Sequence, residues 1–352
     1  MTDTSAGVLV VGAGPTGLAL GCELARRGIA VRVVDGRDGP HGESRGKTLN
    51  AAGLAVLEQL GVADRIRAVG NPELVFRKYF DGEHIDDTVV PGTLFIGQWQ
   101  IEDVLRRRLA ELGGSVEWGA RVAGIAQDAQ GVTATLPDGR TIRAEWLAGC
   151  DGGGSTVRRL LGIPFEGYTD EGQSMVVGDV RAPGLSRGFW HQWFTSDGGA
   201  MMLCPIPGTD VFQLQSSPET DTEGRTLPPS AEGFRRLFDR HARMPGIRPV
   251  DPSWMSTWRV NVRMAGRLRE GRAFLAGDAA HVHPIAGGLG MNTGLQDAAA
   301  LARALGGETT PDVYESERLA AAAHLLADST ERMRRVVTAT RTPGTGTEAG
   351  LG

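Results

Sequence analysis

The chain has 352 residues, a formal charge of −5, 41% hydrophobic and 22% charged residues, and a pI near 5.9. That suits a globular enzyme of two ordinary domains, or of one large domain with an insert. No acidic or basic block stands out, which argues against nucleic acid or an anionic membrane surface as a partner. Positive charge is almost wholly arginine, Lys47 and Lys78 being the only lysines, and the abundance of glycine and alanine suggests GC-rich bacterial coding. Cys22, Cys150 and Cys204 are far apart and form no CxxC pair or Cys/His cluster. Neither a disulfide framework nor a metal site is expected, and a reducing cytoplasm fits best. The uncharged stretch from Ala6 to Cys22 is too short, and too broken by glycine and proline, to span a bilayer.

In chain order, Gly7 to Val11 reads as a buried strand, Gly12 to Gly17 as a glycine turn, and the residues to Ala25 as a helix stopped at Arg26-Arg27-Gly28. Val31 to Val34 is a second strand ending at Asp35, which completes a βαβ unit. Residues 48–69 read as helical and 101–112 as an amphipathic helix. Residues 115–148 alternate as strands, with a turn at Pro137-Asp-Gly139, and Ala144 to Cys150 enters Asp151-Gly-Gly-Gly154. From Pro164 to Leu268 the apolar runs shorten and tryptophan, proline and glycine recur. A mostly antiparallel sheet with one helix near 231–243 is expected there. Ala273 to Ala276 is a parallel-type strand, 292–305 and 313–337 are helices, and 338–352, rich in Thr, Gly and Pro, reads as a disordered tail.

Two motifs carry chemistry. Gly12-x-Gly14-x-x-Gly17, followed by Pro15 and Thr16 at the helix start, has the strand–turn–helix context of a dinucleotide site. The first glycine permits the turn, the second lets backbone approach a pyrophosphate, and the third packs helix on strand, while Asp35 can accept from ribose. Alone it does not separate NAD from FAD. The second motif runs from Gly271 through Gly277-Asp278 to Pro284, then into Gly287-Gly288-Leu-Gly290-Met291-Asn292 and Asp297. A carboxylate at a strand end (Asp278) can bond ribityl hydroxyls. A helix beginning near Met291 can aim its positive end at the electron-rich edge of a reduced flavin.

With these motifs the sequence resembles the class A flavoprotein aromatic hydroxylases, the p-hydroxybenzoate hydroxylase-like family, and within it the polyketide-tailoring monooxygenases. Cys150-Asp151-Gly to Arg158 resembles the family's Asp-Gly motif, which serves FAD and NAD(P)H. Ser44-Arg45-Gly46 matches the segment whose arginine approaches the flavin, and Gln98 matches the FAD-contacting glutamine. The resemblance covers residues 7 to about 335. It departs in having Asp35 where Glu is usual, and in ending without the thioredoxin-like C-terminal domain that polyketide hydroxylases often carry.

What the resemblance implies is an α/β (α+β overall) chain. A Rossmann-like FAD-binding domain would comprise 1–74, 98–163 and 269–337, with C-terminal helices. A mostly antiparallel substrate-binding sheet would comprise 75–97 and 164–268. It also implies an NAD(P)H-dependent monooxygenase that reduces FAD and transfers oxygen from a flavin C4a-hydroperoxide to an aromatic or polycyclic substrate. Epoxidation, Baeyer–Villiger insertion, redox-silent cyclisation and a non-catalytic flavin-binding role are the alternatives. A cytoplasmic monomer or weak homodimer is expected. Arg45, Pro284 and His191 are the candidate catalytic residues, Pro284 by shaping backbone against the flavin. His191, in Trp190-His-Gln-Trp-Phe194, lies in the region expected to face substrate, and a histidine's ordinary pKa suits proton transfer. Arg158 is expected to orient its loop or to meet NAD(P)H phosphate, and His281 and His283 to serve packing. Trp190, Trp193, Phe194, Met201, Met202 and Phe212 could line an apolar pocket.

Overall fold

The computed structural model describes residues 2–283 and 288–341. The chain begins with β1 (Thr2–Val11), α1 (Pro15–Arg26) and β2 (Val31–Val34), the expected βαβ start. Next come β3 (Thr48–Leu49), α2 (Ala51–Gln59) and α3 (Ala63–Val69). The single helix expected over 48–69 is therefore a short strand and two helices, broken where Gly61 takes φ +71°. That left-handed geometry ends a helix and favours glycine. β4 (Val75–Phe80), β5 (Glu83–Val89) and β6 (Leu94–Phe95) lead into α4 (Gln98–Glu111). β7 (Val116–Glu117), β8 (Gly124–Asp128), β9 (Gly131–Thr135) and β10 (Thr141–Gly149) follow, then α5 (Thr156–Leu160). β11 (Phe165–Arg181), β12 (Phe189–Phe194), β13 (Ala200–Pro205), β14 (Val211–Ser216), α6 (Ala231–Ala242) and β15 (Val250–Ala265) form the middle of the chain. The last part holds β16 (Arg269–Glu270), β17 (Ala273–Leu275), a 3-10 turn at Gly277–Ala279, β18 (His281–Val282), α7 (Leu289–Leu305) and α8 (Pro311–Arg341). Residues 338–341, expected in a disordered tail, thus close a helix, and the rest of that tail lies outside the described residues.

Two sheets organise the molecule. The first has the order β16-β17-β10-β1-β2-β7, with β9 and β8 extending from β10. Its centre, β17-β10-β1-β2-β7, is parallel throughout. Strands of such a sheet are covered on both faces, so they read as unbroken apolar runs, as in Val8 to Val11. Helices α1 and α7 cover it, and its core runs from Val8 to Tyr314. The last segment of the chain therefore supplies β17, two strands from β1, and the fold closes only when both ends meet.

The second sheet has the order β18-β15-β11-β14-β13-β12-β4-β5, antiparallel except where β12 meets β4. One face packs on α6 through Trp193, Met201, Leu203, Phe212, Leu214, Phe234 and Phe238. The alternate residues point the other way, where Trp190, Cys204 and Met202 gather with Phe76 and Phe95. Period-two alternation decides which side chains can meet anything beyond the sheet. β18, from the chain's final third, joins this sheet at its β15 edge. No described helix is long and apolar enough to cross a membrane.

Candidate active site

The glycine turn is built as its spacing requires. Gly12 has φ +108°, and a Cβ on it would sit 2.3 Å from the Cys150 carbonyl oxygen. One on Gly17 would sit 1.9 Å from the Gly12 carbonyl oxygen. These two glycines serve chain-on-chain packing. Gly14 differs, because a Cβ there meets nothing within 4 Å. It is the N-cap of α1, Pro15 opens the helix, and no side chain caps its first turn. Backbone N–H groups and the positive helix end thus face open space, a cradle that fits a pyrophosphate. Thr16 lies against Gly277 and Gly294, where Cβ atoms would come within 2.5 and 2.3 Å of its hydroxyl. The first motif is thereby clamped to the second.

Asp35 accepts from the Ala13 N–H at 2.8 Å and from the Arg37 backbone and guanidinium at 2.9 to 3.1 Å. Burial works to raise its carboxyl, but the bonds from Arg37 and Ala13 prevail and leave it below the usual carboxylate range.

Asp278 sits where the parallel strand β17 ends. It is exposed, yet the protein closes around it enough for burial to push its carboxyl upward against the pull of His281 and His283. The space before it, bordered by Gly290 and Arg45, is the candidate cofactor cleft. Gly277 holds the turn at φ +62°, and its N–H is bound by Asp297 at 2.9 Å. Across the cleft, α7 starts at Leu289 behind Gly288, again without a side-chain cap. A Cβ on Gly288 would strike the Thr48 hydroxyl at 2.0 Å. A Cβ on Gly290 would lie 3.4 Å from His283 and 3.9 Å from Asp278, and Met291 packs against Gly46. Asn292 does not face the cleft floor. Its amide donates to the carbonyls of Thr48 and Gly288, and its oxygen accepts from the Asn50 N–H. It positions the 44–50 segment.

That segment is where the two sheets meet. Arg45 is exposed, hydrogen-bonded to Glu43 at 2.6 Å, and near enough to Asp278 to favour its charged form. Gln98 accepts from the Gly46 N–H at 3.2 Å and donates to Glu102 at 2.8 Å. Glu102 is buried and meets His41 at 3.2 Å. The string His41–Glu102–Gln98 was not foreseen, although Gln98 and Glu102 stand one helical turn apart on α4. Ser44 binds the buried Asp179 through its N–H at 2.9 Å and through its hydroxyl. Gln213 donates to the Ser44 hydroxyl and the Arg45 carbonyl, both at 2.9 Å. Asp179, Gln213 and Lys47 were also missed, since nothing in their local sequence announces the contact.

Several expected roles change. His191 is on the α6-covered face, stacked on Trp193 and near-parallel to Tyr79. Its nitrogens meet the Ser186 carbonyl at 2.8 Å and the Tyr79 hydroxyl at 3.2 Å. Burial lowers its pKa, so a proton-transfer role toward substrate does not fit this position. In Trp190-His-Gln-Trp-Phe194 the alternation sends Trp190 and Gln192 to the face away from α6 and His191 and Trp193 to the α6-covered core. Trp193, Met201 and Phe212 are likewise core, not pocket. Arg158 is buried. It donates to the carbonyls of Ala279 at 2.9 Å and Gly153 at 2.8 Å and lies over Phe165, so it orients its loop and does not present to a phosphate. Asp151 accepts from the Thr156 and Val157 N–H groups and caps α5. Pro284 lies outside the described residues.

Residues 5–329 match the FAD binding domain family. The chain belongs to that family. It is 37% identical to a flavin-dependent monooxygenase of Mycobacteroides abscessus, over 93% of this chain and 74% of that protein. It is 38% identical to 6-methylpretetramide 4-monooxygenase of Streptomyces rimosus, over 92% of this chain and 60% of that one. The crystal structure of aklavinone-11 hydroxylase with FAD and aklavinone aligns with a TM-score of 0.81 at 29% identity, covering 97% of this chain and 70% of that one. The chain thus spans roughly two thirds of the length of these relatives. It is an FAD-dependent oxidoreductase of the mixed α/β class A monooxygenase fold. Around the open Gly14 helix end the structure gathers Gly12, Pro15, Thr16, Gly17, Asp35, Gly277 and Asp278, and beside Asp278 it gathers Arg45, Gly46, Gln98, Gly290 and Met291.

Proposed function

We propose that the whole protein hydroxylates an aromatic or polycyclic, polyketide-like substrate, with NAD(P)H as electron donor and O2 as oxygen source. One observation carries this reading: on the face of the second sheet opposite α6, Asp179 and Gln213 bond Ser44, Arg45 and Lys47, while Gly46 and Arg45 of the same segment lie beside Gln98, Met291 and Asp278. A substrate on that face would lie beside the flavin. Two relatives, 6-methylpretetramide 4-monooxygenase and aklavinone-11 hydroxylase, support the substrate class. FAD, when bound, supplies hydride acceptance and oxygen activation. The chain's own part is to bind, orient and exclude water. The α1 and α7 N-termini would hold negative charge, Asp278 would hold hydroxyls, and Arg45 would approach from the mouth.

We read the domains as discontinuous, with an FAD-binding part of 1–74, 98–163 and 269–337 enclosing a substrate part of 75–97 and 164–268. Membership of the two large sheets supports this division, with two crossings: β18 joins the second sheet, and β6 pairs with β3. Three buried, unpaired cysteines suit a cytoplasmic protein, and we expect a monomer or weak homodimer. The test is to mix the purified yellow protein with NAD(P)H and a panel of polycyclic phenols. Substrate-stimulated NAD(P)H oxidation with a product heavier by one oxygen is expected. Product formed without NAD(P)H would overturn hydroxylation in favour of a redox-silent cyclisation.

A further inference from the structure

Of the two lysines, Lys78 is ordinary, reaching Asp86 at the surface. Lys47 is not. It is 8% exposed, and among the described residues no carboxylate lies within ion-pairing distance of its Nζ. Its ammonium has one acceptor, the Gln213 side-chain oxygen at 2.5 Å, and rests over the Trp190 ring at 4.6 Å. Gln213 cannot turn away, because its amide nitrogen is held by Ser44 and Arg45. The nearest acid, Asp179, is occupied by Ser44. Burial raises the Asp179 carboxyl, against the bonds from Ser44, and pushes Lys47 down to about 8. A buried cation without an anion is costly, and folds keep one only where something compensates it.

A second observation points the same way. On the same face the indole N–H of Trp190 and the amide nitrogen of Gln192 are buried and have no hydrogen-bond partner. Gln192 stands opposite Met202, which stands opposite Gln215, and Gln215 donates to Gln213 at 3.0 Å. Lys47, Trp190 and Gln192 therefore bring three buried donors to one face, where the Gln213 oxygen serves the ammonium and, among the described residues, the indole N–H and the Gln192 amide nitrogen have no acceptor. Buried donors are normally satisfied.

We propose that this patch binds an acidic oxygen of the substrate, a phenolate or a β-dicarbonyl enolate, with Lys47 as its counter-cation and Trp190 and Gln192 as its neutral donors. The O–H bond breaks heterolytically, its electron pair stays on oxygen, and the proton passes to solvent. An ionised oxygen enriches the ring carbons ortho and para to it, which suits oxygen transfer to carbon. The inference rests on the aromatic-hydroxylase reading and names the group that such a substrate must carry.

The test uses the flavin-loaded protein and a 1,4-dihydroxyanthraquinone, a dye whose absorption moves to longer wavelength on ionisation. Near neutral pH, where the free dye is un-ionised, the bound dye is expected to show the ionised band. Lys47→Met should abolish that band and weaken dye binding about thirtyfold or more, with flavin content unchanged. Lys47→Arg should keep the band. An unchanged band and affinity in Lys47→Met would overturn the proposal. So would loss of flavin in both variants, which would assign Lys47 to the scaffold. If no phenol is hydroxylated but the dye band depends on Lys47, the binding inference stands and the hydroxylase reading fails. If hydroxylation proceeds equally in Lys47→Met, the reverse holds.

Discussion

Gly12, Gly14 and Gly17 belong to one motif but are glycine for two different reasons. At Gly12 and Gly17 a methyl group would collide with backbone of this chain, so the requirement is internal. At Gly14 a methyl group would meet only open space and ordinary helix-start geometry, φ −78° and ψ −176°. Gly14→Ala should therefore shift the stability of flavin-free protein by about 1 kcal/mol or less, the usual scale for an N-cap change. It should lower FAD affinity about tenfold or more, since the methyl would occupy the approach to the helix end. Urea unfolding of the apoprotein and fluorescence titration with FAD measure the two. An intact affinity would remove Gly14 from the cofactor cradle.

At the scale of elements, α7 carries the connection between cofactor cleft and substrate face. Its start is uncapped by any side chain, and its first turns hold Gly290 and Met291 toward the cleft. Asn292, one turn in, reaches back to Thr48 and Asn50 and fixes the strand β3 and the start of α2 against it. The same segment presents Arg45 to the cleft and Lys47 to the second sheet. Asn292→Ala removes three hydrogen bonds at a buried position and should cost about 2 kcal/mol or more. It should also loosen the 44–50 segment, which hydrogen exchange of the Gly46 to Asn50 amides would report. Unchanged protection there would show that sheet contacts alone hold the segment.

At the scale of the whole molecule, Asp297 gathers three parts of the chain's end. It accepts from Gly277 after β17, from His281 at 2.7 Å and from Arg318 of α8 at 2.6 Å, and it is fully buried. Tyr314 adds a bond from α8 to the Leu275 carbonyl at 2.6 Å. Burial works to raise the Asp297 carboxyl, but His281, Arg318 and the Gly277 N–H prevail and take it to about 2. For His281, burial works to lower the imidazole, but Asp297 prevails and its pKa is raised above 6.5. The two signs define a window. The Asp297 contribution is present above the ordinary carboxylate value of 3.8 and lost as pH falls through about 2. The His281 contribution is fully present below 6.5 and lost as pH rises through its raised folded value. Asp297→Asn should cost about 3 kcal/mol or more by leaving buried cations unpaired. Its deficit should be widest from mild acid to neutral and narrower toward alkaline pH. Denaturant unfolding across that range measures the gap, and a deficit independent of pH would break the assignment.

By itself the sequence determined whatever depends on neighbours along the chain. The βαβ start, the glycine turns, the hairpin of β9 and β10, and helices α4, α6 and α7 were all legible from spacing and period. So was a dinucleotide cofactor, because glycine turns that cradle one impose residue types at fixed offsets, while FAD in particular came with the Asp278 segment and the family resemblance it carries. Even the misplacement of His191 was avoidable, since alternation in β12 already put it on the face opposite Trp190. What only the tertiary structure decided was which polar groups meet across the fold. The bond of Arg158 to the Ala279 carbonyl and the meeting of Lys47 with Gln213 and Trp190 leave no local trace. Lys47 and Gln213 are 166 residues apart, and a lysine's sequence neighbours are the same whether it is solvated or buried. Burial and partner choice are set by the packing of distant segments.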